Sequence, residues 1–223
     1  MTTMFENLTN PSERLLDPME RVSEVLFGLI MVLTFTCSLS VAEAGRDEIR
    51  TMVIGALGCN LAWGIIDAVF YLMGCFSSQG RGILQLKAVR TLSDAGAAHR
   101  VIADALPPRV ASVLSPAELE EIRQKLNQLP EPPARPKLGR NQWLAAFGVF
   151  SIVFASTLPV VLPFTFVDHP RLALRISNLV AVTLLFLVGY RFGHYAGHRP
   201  WGMGFAMVIL GGALVGITIS LGG

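Results

Sequence analysis

The sequence predicts an all-α, polytopic membrane protein: five transmembrane helices with a helical insert between the second and third. Three observations carry that reading. Of the 223 residues, 52% belong to the apolar set AVILMFWYC and only 15% are charged, with a mean hydropathy of +0.53. The apolar residues fall in long blocks, roughly 22–43, 51–75, 143–166, 172–193 and 201–221, rather than at amphipathic spacing. One long polar stretch, 76–141, separates the second block from the third. A bilayer core about 30 Å thick needs roughly 20 apolar residues per helix, and each block is long enough. Only helices and closed barrels satisfy every backbone group in lipid, and these blocks lack the alternation of barrel strands.

Residues 1–21 read as an N-terminal segment, polar and mixed in charge, without the short apolar core of a signal peptide. Spans one and two, 22–75, form a hairpin because the link "AGRDEIR" is short. The module at 76–141 opens with "GILQLKAVRTLSDAGAAHRVIADAL", where Ile83, Leu86, Val89 and Leu92 recur at helical spacing. "PPRVAS" interrupts it. Ser115, Pro116 and Glu118 then form a capping-box pattern for a short helix to about Gln128, and "LPEPPARPKLGR" is a proline-rich tether.

The rest, 142–223, holds spans three to five. Pro159 and Pro163 lie four apart in the third, so that helix is kinked or broken. Pro170 and Pro200 suit the first turns of the fourth and fifth. Gly212 and Gly216 make a GxxxG step, fit for tight bundle packing or a dimer seam. Cys37, Cys59 and Cys75 lie in or beside apolar blocks and read as small apolar residues, not a disulfide framework.

Lysine and arginine placement sets the orientation. Ten of the 18 lie between Arg81 and Arg140, and five spans put that module on one side with Arg14, Arg21, Arg191 and Arg199. Only Arg46, Arg50, Arg171 and Arg175 fall on the other side. The N-terminus and insert are therefore expected in the cytoplasm and the C-terminus outside. Compact size and the lack of a targeting segment point to a bacterial inner membrane.

Charge at membrane depth costs at least about 2.5–3.5 kcal/mol, so acids inside the spans need a reason. Asp67 sits in "NLAWGIIDAVFYLM", about two-thirds along the second span, and Glu24 one turn into the first. Asp17, Glu20 and Glu24 fall at i, i+3 and i+7 on one face, which Gly28 and Met31 continue. A file of carboxylates leading to a thioether suits a divalent metal path, since oxygen attracts the ion and sulfur favours softer transition metals. Asn60 and Asp67, seven apart, also share a face. Each has a structural reading beside it. Asp17 and Glu20 suit a helix first turn, Glu24 can snorkel to the interface, and Asp67 can pair with Arg21. Asn60 reads first as a helix–helix hydrogen-bonding group and second as a ligand.

In the module, Glu118 and Glu121 share a helix face, and Lys125 lies four residues beyond Glu121. With Asp94, His99, Asp104 and Glu120 they read first as a solvated charged face and second as metal-gathering groups. His194 and His198 are four apart, a metal-binding spacing, in the interfacial link "GHYAGHRP". No nucleotide loop, catalytic triad or strand–turn–helix phosphate signature occurs. Neither an enzyme nor a nucleic-acid partner is expected.

The five-span layout with its insert, "LPVVLPF" in the third span, "SSQGR" closing the second and the final "GFAMVILGGALVGITISLGG" resemble the vacuolar iron transporter family, from about Asp17 onward. The resemblance implies a homodimer that exchanges cytoplasmic Fe²⁺, and often Mn²⁺, for protons, with no permanently bound cofactor. It implies a pore between the first spans of two subunits, lined by an acid and a methionine, here Glu24 and Met31. Asp67 would stand for an acidic group on the second span, and Glu118 and Glu121 for the insert's metal site. Departures mark a divergent branch. "EVLFG" replaces the usual Asp-Gly, the second span lacks Gly-Glu-Tyr, and the insert is poor in glutamate.

The expected function is therefore export of Fe²⁺ or Mn²⁺ from the cytoplasm against protons. The path would involve Glu20, Glu24, Met31, Asn60 and Asp67. A channel without proton coupling, or a membrane scaffold in which the acids are structural, are the other readings.

Overall fold

A computed structural model describes residues 18–38 and 46–220; within them the side chains at 18–21, 35, 37–38, 46 and 218–219 fall outside the described set. All regular structure among the described residues is helical: α1 (Pro18–Ser38), α2 (Arg46–Thr91), α3 (Ala95–Ala105), α4 (Pro108–Ala111), α5 (Pro116–Asn127), α6 (Arg140–Val161), α7 (Pro163–Phe166), α8 (Pro170–Tyr195) and α9 (Pro200–Ser220). Helices α2, α6, α8 and α9 are long and apolar enough to cross a membrane, while α1 carries a shorter apolar run, Val22–Thr34. Four of the five expected spans thus meet that test among the described residues.

The helices group into two compact units. One draws on residues up to Tyr71 and from Asn141 onward; the other holds Leu72–Arg140. In the first, α1, α8 and α9 pack on one another. Its core is Leu29, Val32, Leu33, Val160, Val161, Ala181 and Leu185, with Val53 and Leu57 of α2 against it.

Lipid offers no hydrophobic drive between helices, so close backbone approach through small residues does the packing. Between α8 and α9 a β-carbon on Gly189 would lie 2.6 Å from the Met203 carbonyl oxygen, and one on Gly204 would lie 2.6 Å from the Phe186 ring. Gly212 and Gly216 do not share in this: a β-carbon at either meets nothing within 4 Å among the described residues. The expected proline break is present. α6 ends at Val161, and the buried Ser177 hydroxyl of α8 donates to the Val160 carbonyl at 2.6 Å, satisfying an acceptor at a broken helix end. Pro170 and Pro200 open α8 and α9, as their fixed φ favours.

The second unit departs from the sequence reading at two places. No helix break separates the second span from the module; α2 runs on through Ser77–Gly82 for 46 residues, about 69 Å at 1.5 Å per residue. That segment is polar and contains glycine but no proline, so nothing in it removes a backbone hydrogen bond. The break falls later, at Leu92–Asp94. There Asp94 caps α3, its carboxylate accepting from the Gly96 and Ala97 N–H groups at 3.1 Å. Arg90 donates to the Leu126, Leu129 and Pro130 carbonyls. These close the exposed C-terminal end of α5, while Arg123 reaches the Leu92 carbonyl at 3.0 Å. Gln79 accepts from the Lys137 N–H at 3.1 Å and holds the proline-rich tether.

Candidate transport site: a buried polar stripe

Along α2, Met52, Ala56, Asn60 and Gly64 recur every four residues and are all buried, and half-buried Asp67 continues the line. The opposite flank exposes Ile54, Leu61, Ile65, Val69, Phe70 and Met73. Asn60 and Asp67 therefore belong to the interior face, as their spacing implied. Asn60 is 0% exposed. Its Oδ1 and Nδ2, and the buried Asp67 Oδ2, have no hydrogen-bond partner among the described residues. A buried unmet polar group costs about 1–3 kcal/mol, and native structures hold few of them. The helix–helix bond expected of Asn60 has no partner here; the Arg21 side chain, the alternative partner of Asp67, lies outside the described residues.

On α1, Glu24 and Met31 are half-buried and flank the buried Gly28. A β-carbon on Gly28 would collide with the Ser156 hydroxyl of α6 and lie 3.1 Å from the Val153 carbonyl oxygen. The Glu24–Gly28–Met31 face is thus laid against α6. One on Gly64 would lie 3.0 Å from the Phe150 ring and 3.2 Å from the Phe150 carbonyl oxygen, so α6 approaches both acid-bearing helices where each has a glycine. Phe27 and Trp63 meet edge to face at 4.9 Å between ring centroids. In an antiparallel hairpin rising 1.5 Å per residue, that contact sets Asp67 level with Glu24, and Asn60 level with Met31, to within about a turn. Glu20 stands on α1, but its side chain is outside the described residues.

Two carboxylates at one level with an amide and a thioether beyond them can hold a divalent cation, or take up protons when it leaves. An apolar core that includes Leu29 and Val32 packs at about the level of Asn60. Beyond that lies an open pocket of about 320 Å³, lined by Ile49, Arg50, Val53, Thr165 and Asp168 among others.

The module's carboxylates are differently placed. Glu118 closes the capping box, accepting from the Ser115 N–H at 2.8 Å and its hydroxyl at 2.7 Å; these bonds, the backbone one first, hold its carboxyl below the usual carboxylate range. Glu121 pairs with Lys125 at 2.6 Å on an exposed face. Among the described residues no group of three or more His, Cys, Asp or Glu could hold a metal ion.

Sequence reasoning missed the pairing of His99 on α3 with Glu120 on α5, 2.8 Å apart with Arg123 at 3.5 Å. Twenty-one residues separate the two partners, so no local spacing announces them. The bond with His99, the largest effect, lowers the Glu120 carboxyl's pKa; burial opposes it, and the Arg123 charge adds a smaller lowering. His194 and His198 do not share a helix. α8 ends at Tyr195, and Gly197 takes φ +68° with His198 N–H on the Gly193 carbonyl and Gly197 N–H on that of His194. This closure needs the left-handed conformation glycine adopts without strain.

One family's sequence profile, described as VIT family, matches residues 94–223, well over half of the chain. The chain belongs to the VIT family. This is the vacuolar iron transporter family whose resemblance the sequence carries. Comparison with curated proteins gives no match. VIT-family membership points to metal-ion transport rather than catalysis. The match begins at Asp94, so it spans most of the module and the last three spans. Glu24, Met31, Asn60 and Asp67 lie before it.

Proposed function

We propose that this chain exports a divalent transition-metal ion, Fe²⁺ or Mn²⁺, from the cytoplasm in exchange for protons. In this reading it works as a homodimer of five-span subunits in a bacterial inner membrane. The N-terminus and polar unit face the cytoplasm, and the C-terminus lies outside. The observation that carries it is the unmet polar surface on α2: Asn60 and Asp67 turned inward, costly unless something else enters to meet them. Glu24, at the level of Asp67, supplies a second carboxylate, with Glu20 leading toward it along α1. Met31, at the level of Asn60, supplies a sulfur that favours a transition metal over Ca²⁺ or Mg²⁺. As the ion leaves, the carboxylates are left as like charges in a dry environment, which drives proton uptake. The apolar core around Leu29 and Val32 acts as the closed gate toward the outer pocket. Glu118 and Glu121 serve this reading as a peripheral, exposed metal-attracting face, each already engaged by a structural partner.

The test is metal-driven proton flux in proteoliposomes, comparing wild type with Asp67→Asn and Glu24→Gln. Mn²⁺ or Fe²⁺ movement with counter-protons, lowered at least about tenfold by either change, is the expected result. Flux indifferent to a pH gradient would replace the antiporter with a channel. No flux of any metal from folded protein would leave a scaffold.

A further inference from the structure

We infer that Arg81, Arg135, Lys137 and Arg140 form a cationic collar that binds the headgroup phosphates of anionic phospholipids. The site goes beyond the transport reading and does not depend on it. It asks only that α2 and α6 cross a bilayer, as their length and composition allow.

Depth comes first. On α2 the apolar block ends at the exposed Phe76, and Arg81 follows five residues later, about 7.5 Å along the helix. On α6 the apolar run opens at the exposed Trp143, a ring suited to the membrane–water interface. Arg140 precedes it by three residues, about 4.5 Å. The headgroup layer is about 5–7.5 Å deep on each side of the hydrocarbon core. Both arginines therefore stand among lipid phosphates rather than in open solvent.

The tether adds the other two cations. Gln79 accepts from the Lys137 N–H at 3.1 Å, across 58 residues of chain, and a β-carbon on Gly80 would lie 3.9 Å from the Pro136 ring. The segment around Pro136 is thus laid on α2 within a turn of Arg81. Pro130, Pro132, Pro133 and Pro136 stiffen it, so Arg135 and Lys137 are held near that level with little freedom left to lose on binding. All four cationic residues are exposed, and none has an ion-pair partner among the described residues. No Asp or Glu occurs in 72–85 or 132–143. At the opposite ends of the spans, by contrast, Arg46, Arg50, Arg171 and Arg175 share their segments with Asp47, Glu48 and Asp168. Orienting a span requires only a count of cations in a loop. A stiff, acid-free tether pinned against the helix at headgroup depth does more, and phosphate is the anion that lies there.

The experiment incubates the purified full chain in detergent with equal amounts of phosphatidylglycerol and phosphatidylcholine, re-purifies it and measures the ratio of the two lipids retained. One variant combines Arg81→Gln, Lys137→Gln and Arg140→Gln. A charge-matched control combines Lys87→Gln, Arg100→Gln and Arg109→Gln, exposed cations farther along the module. Each Lys or Arg beside an anionic surface contributes about fivefold in affinity. Wild type and control should therefore retain phosphatidylglycerol over phosphatidylcholine by at least about fivefold, with the collar variant near parity. A wild type without preference overturns the inference. So does a control that falls as far as the collar variant, since net charge alone would then explain the effect. Displacement by millimolar inorganic phosphate at constant ionic strength overturns it in favour of a free-phosphate site. Salt gives a reading on the unaltered protein, whether or not the collar variant folds. Raising NaCl from about 0.05 M to about 0.5 M should at least halve the preference, and a preference indifferent to salt overturns the inference. Metal flux is no part of the readout, so lipid binding and transport can fail separately.

Discussion

Gly28 of α1 lies so close to Ser156 of α6 that a β-carbon there would overlap the serine hydroxyl. That hydroxyl donates to the Val153 carbonyl at 2.7 Å and so is fixed over the glycine. The contact decides which face of α1 turns inward, and with it where Glu24 and Met31 stand. Gly28→Ala should therefore destabilise the membrane unit by about 1–3 kcal/mol through overpacking. Adding Ser156→Ala removes the colliding atom and leaves only the 3.1 Å approach to the Val153 carbonyl oxygen. Most of the lost stability should return, a coupling of about 0.5–3 kcal/mol. Thermal unfolding of the two single variants and the double variant in detergent measures it. Additive effects would show that the helices do not meet as described.

The module should weaken in acid. Glu118 and Glu120 both titrate below their ordinary value of 4.5, so the folded module binds these protons less readily than the unfolded chain does. The stabilisation is complete above about 4.5 and is lost as pH falls through the depressed folded values. Hydrogen exchange across Ala95–Asn127 should be flat from neutral pH down to about 5, after correction for intrinsic rates, and rise below about 4.5. Glu120→Gln should shrink that rise. An unchanged profile in the variant would mean that the His99 contact contributes nothing.

Helix α5 offers a local test. The Ser115 hydroxyl accepts from the Glu118 N–H at 3.4 Å while the Glu118 carboxylate accepts from Ser115. Ser115→Ala should cost about 1 kcal/mol and raise exchange at Pro116–Asn127 first. Uniform exchange change across the whole module, rather than in the first turn of α5, would contradict a capping role.

How far the sequence made this visible depended on the range of the interaction. The helix starts at Pro170 and Pro200, the proline break near Val161 and the cap at Ser115 are local chemistry, and each stands where its residues predicted. The inward orientation of Asn60 and Asp67 was legible because period and composition agree along α2. The continuity of α2 past Cys75 was not, since the polar run "SSQGRG" follows the apolar block and only the absence of proline argues for continuation. The helix start after Asp94 was written in its own side chain but was masked by the apolar spacing on either side. The His99–Glu120 pair and the Gly28–Ser156 contact depend on which helices meet, and no residue near either partner encodes that. The α8–α9 packing uses Gly189 and Gly204, while Gly212 and Gly216 meet nothing within 4 Å among the described residues.

Asn60 separates function from stability. If its orphaned amide exists for an ion, removing it should help the fold and harm transport. Leu has nearly the same branched outline and no polar atoms, so Asn60→Leu abolishes two unmet buried groups. Replacement of such groups by an apolar isostere is neutral or stabilising, and functional sites are where this kind of strain is retained. The expectation is an unfolding midpoint equal to or above wild type, with Mn²⁺ flux down at least about tenfold, the loss equivalent to about 1.4 kcal/mol of ion stabilisation. Asn60→Asp, which keeps an oxygen ligand but adds charge, should retain more flux than Asn60→Leu and unfold earlier. A lowered midpoint in Asn60→Leu with flux untouched would mean that the amide is a packing group with partners in the assembled protein, and the polar stripe would then lose its middle ligand.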